Sequence, residues 1–155
     1  MQKQYSKFHE RGEAMNHGGK FKKVGKSEKK LHGPRKLIVC GYPDLEQRAL
    51  LSLLEKNDFN DLPVIFVTNR DSKKTISELL TLDDRSGQDE VSDMRRAIIM
   101  SGFTQNELHR LMTAYRNSGL STQLWATLTP ISENWPVEKL LGELAAEAEA
   151  FKKQR

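Results

Sequence analysis

Short apolar runs alternate with amphipathic segments along the chain from residue 36 onward. Four runs lack the polar–apolar alternation of a half-exposed strand, so they predict strands buried on both faces, at residues 36–41, 62–68, 96–102 and 123–129. Leucines at helical spacing follow each run and predict helices at residues 44–57, 71–82, 104–119 and from 136 onward. A helix after every strand indicates an α/β domain with a mainly parallel, helix-covered sheet.

Local signals mark the start of two of these helices. Thr104 is followed three residues later by Glu107, which is the spacing of a capping box that satisfies free amides at a helix start. Pro136 lies just before the last leucine stripe, and proline is favoured in the first turn of a helix.

The two halves of the pattern, residues 35–82 and 96–143, align without a gap at an offset of 61 positions. Tyr42 then meets Phe103, and identical residues meet at strand ends, helix starts and core stripes, including Gly41 with Gly102, Glu46 with Glu107 and Thr68 with Thr129. This placement predicts a tandem βαβα repeat, with repeats at about 35–82 and 96–150.

Equivalent halves with right-handed crossovers predict the strand order 2-1-3-4, with two helices on each face. The winding then reverses between strands 1 and 3, and open α/β sheets place ligands in a crevice at the carboxyl ends of the strands at such a point. Gly41 and Tyr42 are expected to face Gly102 and Phe103 across this crevice. Thr68 and Thr129 would lie one strand further out.

Residues 1–34 have a different composition, because they contain few large aliphatic side chains and many turn-forming residues: Gly12, Gly18, Gly19, Gly25, Gly33 and Pro34. Such a segment buries too little apolar surface to offset its ordering entropy. We therefore predict a mostly flexible basic arm over 1–34, a boundary at Gly33–Pro34, and a single α/β domain over 35–155.

Charge is divided between these two parts. Residues 1–36 hold 11 Lys/Arg and 3 Asp/Glu, a net of 11 − 3 = +8, whereas residues 37–155 hold 14 and 18, a net of 14 − 18 = −4. A positive arm can neutralise nucleic-acid phosphates without reading sequence, with candidate contacts at Lys20, Lys22, Lys23, Lys26, Lys29 and Lys30. A solubility tail explains the same charge equally well. Membrane-surface binding is disfavoured, because no amphipathic face accompanies the lysines.

The cellular compartment is constrained by what the chain contains. No apolar run approaches the roughly 20 residues that cross a bilayer, and the N-terminus does not resemble a signal peptide. The single cysteine, Cys40, rules out an internal disulfide framework. A cytoplasmic protein is predicted.

Catalytic and metal-binding patterns are weak in this sequence. Cys40 ends a predicted strand, but His109 lies inside a helix without an evident orienting acid, so a buried core thiol is the better interpretation. The scattered carboxylates between Asp83 and Asp93 match a solvated acidic loop better than a metal site, and no cofactor is predicted. Gly41 and Gly102 are lone glycines, which do not make a dinucleotide fingerprint.

Thr129 and Trp135 allow two interpretations, a ligand lip or a plug that covers the core. The first half keeps Thr68 but has Lys74 in place of the tryptophan, and a site that needed both copies would be expected to keep the ring. The plug is therefore favoured. It predicts that Trp135→Ala destabilises the fold more than Tyr42→Ala or Phe103→Ala.

The Gly-aromatic turn at Gly102–Phe103, the capped helix after it, the run "WATLTP" and the later Asn134–Trp135 resemble a family of uncharacterised bacterial domains of unknown function. The resemblance extends over Arg96–Glu149 and implies that the first half is a degenerate partner repeat. It implies no reaction.

Three functions remain open from the sequence. The first is a non-catalytic binding or regulatory module that takes a protein or small-molecule partner at the switch-point crevice. The second is an RNA- or ribosome-associated accessory protein that acts through the basic arm. The third is a small enzyme that uses Cys40.

Overall fold

The computed structural model describes residues 29–153 of the chain. Most of the predicted basic arm, including Lys20, Lys22, Lys23 and Lys26, lies outside the described residues. None of the helices between residues 29 and 153 has the length and apolar character needed to cross a membrane.

Between residues 29 and 153, four strands and four α-helices follow one another in strict alternation. The strands are β1 (Lys36–Cys40), β2 (Val64–Phe66), β3 (Ala97–Ser101) and β4 (Leu124–Thr127). The helices are α1 (Asp44–Lys56), α2 (Ile76–Leu79), α3 (Gln105–Arg116) and α4 (Val137–Lys153). Short 3₁₀ turns at Asn69–Asp71 and Ser132–Asn134 follow β2 and β4.

The strands form one mixed sheet in the order β2-β1-β3-β4, which confirms the predicted order. β1 pairs with β2 and β3 pairs with β4 in parallel, so the sheet is mostly parallel. The central pair, β1 and β3, is antiparallel, with Ile38 opposite Ile99. One end of the sheet therefore holds Cys40 and the start of β3 (the Cys40 end), and the other holds Lys36 and Ser101 (the Ser101 end).

The path of the chain between α2 and β3 explains the antiparallel pair. After α2 the chain is back at the Ser101 end, where the Lys36 ammonium donates to the carbonyl oxygens of Leu80 and Leu82. The next residues run along the outer side of β2, with backbone hydrogen bonds from Arg85 to Val64 and from Phe66 to Ser86. This segment returns the chain to the Cys40 end before β3 begins, so β3 runs opposite to β1.

Alternate residues of the strands enter two separate hydrophobic clusters. The first cluster contains Leu37 and Val39 of β1 together with Leu50 of α1 and Leu111 of α3. The second cluster contains the neighbouring strand residues Ile38 and Cys40 together with side chains of α2 and α4, including Ile76, Leu79, Leu140 and Leu144. Burial of every second side chain in a different cluster accounts for the unbroken apolar runs of the sequence.

The second helix is much shorter than the predicted 71–82. Thr68 and Asp71 form a capping box for the 3₁₀ turn, and Thr75 and Glu78 form another that starts α2. Two caps seven residues apart divide the segment, because each one starts a new helical turn. The capping box at Thr104 and Glu107 is present as predicted, and α4 begins directly after Pro136.

Contacts with the domain begin before the predicted boundary at Gly33–Pro34. The Leu31 amide donates to the Phe103 carbonyl oxygen at 2.7 Å, and the Gly102 amide donates to the His32 carbonyl oxygen at 3.0 Å. The Ser101 hydroxyl donates to the Pro34 carbonyl oxygen at 2.6 Å. Residues 31–34 are therefore part of the packed structure at the Ser101 end.

Candidate functional site

The predicted crevice residues lie in two groups at opposite ends of the sheet. Gly41, Tyr42 and Thr68 follow β1 and β2 at the Cys40 end. Gly102, Phe103, Thr129 and Trp135 follow β3 and β4, which end at the Ser101 end. The prediction that the two Gly-aromatic pairs face each other across one crevice is wrong, because β1 and β3 are antiparallel.

Both glycines serve close backbone packing. Gly41 and Gly102 have φ values of 76° and 70°, which L-residues with a side chain rarely adopt. A Cβ at Gly41 would collide with the backbone of Met94 and Arg95, and one at Gly102 would collide with the backbone of Gly33 and Pro34. The space beside each glycine is therefore filled by the protein itself.

The two aromatic residues are core residues. Tyr42 is 2% exposed and Phe103 is 1% exposed, so neither ring is accessible to a ligand. The Tyr42 hydroxyl lies 2.6 Å from the Tyr115 hydroxyl, and burial together with this hydrogen bond raises the pKa of Tyr42. Phe103 stacks on Phe59 with a centroid separation of 6.1 Å.

Thr68 and Thr129 shape the turns that follow their strands. The Thr68 amide and hydroxyl donate to the Asp71 carboxylate at 3.0 and 2.9 Å. Burial opposes ionisation of Asp71, but Lys74 and Thr68 hold the pKa of this carboxyl below its usual value. In the second half the Thr129 amide and hydroxyl donate to the Ser132 hydroxyl oxygen at 3.1 and 3.0 Å. Both threonines therefore have local structural contacts.

Trp135 lies between the last 3₁₀ turn and α4. Its half-buried ring packs against the second hydrophobic cluster, and the Lys139 ammonium lies 4.5 Å from the ring centroid. Its carbonyl oxygen accepts the Ile76 amide at 3.1 Å. These contacts support the interpretation of Trp135 as a cover for the core.

Cys40 is fully buried, and burial raises the pKa of its thiol to about 12. It packs in the second cluster, whereas His109 belongs to α3, which packs against the first cluster. The two side chains therefore do not form a nucleophile–base pair. Within residues 29–153, no group of three His, Cys, Asp or Glu side chains is placed to hold a metal ion.

The acidic segment between Asp83 and Asp93 has more structural contacts than a solvated loop requires. The Asp84 carboxylate accepts the Val64 amide at 2.8 Å, on the outer side of β2. The Gln47 side chain accepts the Asp89 amide at 2.7 Å and donates to the Glu90 carbonyl oxygen at 3.0 Å. The segment thus covers the outer edge of β2.

Two partly buried ion pairs join the halves of the chain. Arg35 pairs with Glu107 and Arg96 pairs with Glu46, each at 2.7 Å. Burial opposes ionisation of Glu107, but Arg35 and the Thr104 amide hold the pKa of Glu107 below its usual value. The Arg96 guanidinium also lies over the Tyr42 ring, 4.0 Å from the centroid.

A surface cavity lies between α4 and the start of β3 and β4. Its volume is about 700 Å³, and we call it the α4 groove. Its lining has an apolar part, which we call the floor and which consists of Leu124 and small residues of α4, and a polar part: Gly142, Ala145, Ala146 and Ala148, then Arg95, Arg96, Thr122, Gln123, Glu149 and Lys152. A second cavity of about 470 Å³ adjoins it at Arg95 and Gly142.

Sequence reasoning missed the α4 groove. Arg95 and Lys152 are exposed, and no carboxylate within residues 29–153 forms an ion pair with either of them. The run of small residues on one side of a leucine-rich helix was the available signal. Its meaning depended on the position of the start of β3, which the sequence did not reveal.

Glu147 on α4 was also missed. It is 5% exposed, and neither carboxylate oxygen has a hydrogen-bond partner. Burial, with a smaller contribution from Glu143, raises the pKa of this carboxyl from 4.5 to about 7. A group whose pKa is higher in the folded state favours folding at low pH, and this contribution is lost as the pH rises from 4.5 through about 7.

We therefore expect Glu147→Gln to raise the melting temperature more at pH 8 than at pH 5, because the amide removes a buried charge that exists only at the higher pH. Thermal melts monitored by circular dichroism at both pH values measure this. Glu149→Gln, on the exposed side of the same helix, is the control and should have the same small effect at both pH values. An equal effect of Glu147→Gln at both pH values would contradict the prediction.

Comparison with known proteins gives a match in the second half of the chain. No curated protein and no solved structure matches the chain. A match to a family confirms the resemblance predicted over Arg96–Glu149. Residues 96–151, which hold β3, α3, β4 and most of α4, match the family model of a domain of unknown function (DUF3783).

Proposed function

We propose that this protein is a non-catalytic binding module and that its ligand occupies the α4 groove. The observation that carries the proposal is a cavity of about 700 Å³ with an apolar floor and two cations, Arg95 and Lys152, that lack an ion pair within the described residues. Ligand sites commonly have volumes of roughly 300–1,000 Å³, mostly apolar walls and a few convergent polar groups.

The lining selects the class of ligand. Arg96 is paired with Glu46, which leaves the positive charges of Arg95 and Lys152 against the one lining carboxylate of Glu149, and this excess favours an anion. The floor of Leu124, Gly142 and Ala145 has no hydrogen-bonding side chain, so it favours an apolar or planar body. The ligand we propose is a small amphipathic anion.

The buried state of Cys40 supports a binding role over a thiol-dependent enzyme. A nucleophilic thiol must be accessible and ionised near neutral pH, and the Cys40 thiol is 0% exposed with a pKa of about 12. We propose the cytoplasm as the compartment, in keeping with a single unpaired cysteine.

We further propose that the domain consists of two repeats related by an approximate two-fold axis, with helices on both faces of the sheet. The offset of 61 relates Ile38 to Ile99, and these two residues lie opposite each other at the centre of the antiparallel pair. The same offset relates Arg35 to Arg96 and Glu46 to Glu107, so the two ion pairs between the halves are equivalent. Each of the two hydrophobic clusters contains side chains from one helix of the first half and one helix of the second half. This division supports the proposal that helices cover both faces of the sheet.

The groove proposal predicts binding of anilinonaphthalene sulfonate, a fluorescent amphipathic anion. Arg95→Gln should weaken its affinity about tenfold or more, because a hydrogen bond to a charged group contributes about 1.5–3 kcal/mol. Ala145→Leu should weaken it as well by filling the floor. Fluorescence titration of the intact protein and the two variants measures the dissociation constants.

Two comparisons make this experiment specific to the groove. Lys152→Gln removes a lysine from the last turn of α4, and Lys56→Gln removes one from the last turn of α1, outside the groove. Of these two lysine variants, only Lys152→Gln should weaken dye binding. Equal affinities for the intact protein, Arg95→Gln and Ala145→Leu, at unchanged melting temperatures, would refute the groove as the site.

A second candidate function is RNA binding through the basic segment, as an accessory protein of RNA or ribosomes. The observation that favours it lies at the start of the described chain, where Lys29 and Lys30 are exposed and form no ion pair with residues 29–153. A bridge between Lys30 and Thr104 holds this part of the chain beside the Ser101 end. A nucleic-acid strand would then be held beside the Ser101 end.

A further inference from the structure

We propose that the half of the chain that contains β3 and β4 has a self-complementary surface, which takes either the first half or a second copy of the same half. In the intact chain, residues 36–82 would then serve as a covalently attached partner subunit. This inference rests on the two-repeat arrangement proposed above.

The contact between the halves has the features of a subunit interface. β1 and β3 pair along five residues each, from Lys36 opposite Ser101 to Cys40 opposite Ala97. Without β1, this edge of β3 would present unpaired amide and carbonyl groups, which are a template for another strand. A unit of the size that the family model covers, residues 96–151, buries only about 60% of the surface of its unfolded chain, so it is marginally stable alone and gains stability from a partner.

A second copy reproduces the strand pairing. The offset of 61 replaces Leu37, Ile38 and Val39 with Ile98, Ile99 and Met100. Ile99 would then lie opposite its own copy, and Ile98 opposite Met100. These side chains are apolar, as are those they replace, so the centre of the sheet remains a packed apolar layer.

The ion pairs are reproduced as well. Arg96 occupies the position of Arg35, and Glu107 occupies the position of Glu46. In a pair of identical halves, Arg96 of each copy would therefore meet Glu107 of the other. Each of the two ion pairs at 2.7 Å would be replaced by one of the same type.

The backbone contacts follow the same relation. Gly102 packs on Gly33 and Pro34, and Gly41 packs on Met94 and Arg95, residues that are related by the same offset. In a pair of identical halves, each Gly102 would pack on residues 94–95 of the other copy. Because these contacts are made by backbone atoms, they do not depend on which side chains the packing residues carry.

Two backbone hydrogen bonds between the halves are also related by the proposed two-fold axis. The Ile76 amide donates to the Trp135 carbonyl oxygen at 3.1 Å, and the Val137 amide donates to the Lys74 carbonyl oxygen at 2.9 Å. Val137 and Trp135 are the counterparts of Ile76 and Lys74. Two copies would exchange the same bonds, from Val137 to Trp135 in both directions. Pro136 is compatible with this, because its missing amide is not used.

Contacts of two aromatic residues of the first half distinguish the two partners. Phe59 stacks on Phe103 in the intact chain, and a second copy would offer Leu120 in place of Phe59. The Tyr42 and Tyr115 hydroxyls are 2.6 Å apart in the intact chain, and a second copy would offer Phe103 in place of Tyr42. The pair of identical halves lacks this hydrogen bond. The first half is therefore the preferred partner, and a second copy is the weaker one.

Native mass spectrometry of a nicked protein tests the proposal. A recognition site for a sequence-specific protease is inserted between Val91, which is 63% exposed, and Ser92, and the folded full chain is cut there. We expect the two pieces to remain paired at first. After incubation in urea below the unfolding transition, a complex of two C-terminal pieces should appear beside the original pair.

Charge reversals in the first half decide whether the proposed surface is responsible. Glu46→Arg places like charges beside Arg96 only in the original pair, so the ratio of identical to original pairs should rise about tenfold or more. Arg35→Glu acts in the same way on Glu107 and is a second, independent variant. Glu55→Arg, an exposed position on the same helix as Glu46, should leave the ratio unchanged.

Two outcomes would overturn the proposal. The first is a C-terminal piece that is found only with the N-terminal piece or as a monomer. The second is a ratio that rises equally with Glu55→Arg. Dye binding in the uncut chain does not depend on this exchange, so a failure here is separate from a failure of the groove.

Discussion

Phe103→Ala is expected to lower the free energy of unfolding by about 3–5 kcal/mol, the usual cost of deleting a buried aromatic ring. Phe103 is 1% exposed and stacks on Phe59 in the first hydrophobic cluster. The loss should be largest here because the ring is surrounded on all sides. Tyr42→Ala should cost a similar amount, since Tyr42 is 2% exposed and also loses its hydrogen bond to Tyr115.

Trp135→Ala should cost less than either of these substitutions. The Trp135 ring is only half-buried, and solvent and the Lys139 ammonium lie on one side of it. The order is thus the reverse of the one that the sequence predicts. The reason is that Tyr42 and Phe103 enter the core after Gly41 and Gly102 turn the chain, whereas Trp135 covers the core from outside.

Urea unfolding of the variants measures these differences in the free energy of unfolding. The dependence of this free energy on urea concentration should be the same for all variants, so that a shifted midpoint reports stability alone. Leu45→Ala is the matched control, because Leu45 is an apolar residue that is 71% exposed and should lose almost nothing. If Trp135→Ala costs more than Phe103→Ala, the assignment of Phe103 to the core of the domain is refuted.

Binding of single-stranded RNA is expected to fall by about a thousandfold over a tenfold increase in salt. Each neutralised phosphate of a single strand contributes about −0.7 to the slope of log K against log salt. If half of the net charge of +8 in residues 1–36 is engaged, the slope is therefore near −3. Fluorescence anisotropy with labelled RNA at three salt concentrations measures it.

Variants of the basic segment locate the RNA contact. Replacement of Lys20, Lys22, Lys23 and Lys26 by Gln should flatten the slope and weaken binding about equally for different sequences. The same replacement at four exposed lysines of the folded domain is the control: Lys56, Lys73, Lys139 and Lys153. Deletion should stop at residue 28, because residues 31–34 pack against the domain, and it should abolish binding. RNA binding that survives the deletion would show that another surface is used.

The sequence by itself determined the four strands, three of the four helices in the described residues and the order of neighbouring strands. Unbroken apolar runs and leucine stripes record which side chains are buried, and burial is a local property of each strand and helix. The capping box at Thr104 is also local, because its hydrogen bonds join residues three positions apart. The strand order 2-1-3-4 followed from the likeness of the two halves, and the family resemblance was carried by residues of the second half alone.

Only the tertiary structure decided the direction of β3, and with it the location of the candidate site. That direction depends on the segment after α2, whose hydrogen bonds to Val64 and Phe66 on the outer side of β2 span about twenty residues and leave no periodic signal. Once β3 begins at the Cys40 end, Gly41 and Gly102 are separated and the α4 groove forms beside Arg95. A sequence pattern reports what each residue buries, whereas a site depends on which distant residues meet, and long-range hydrogen bonding and packing determine that.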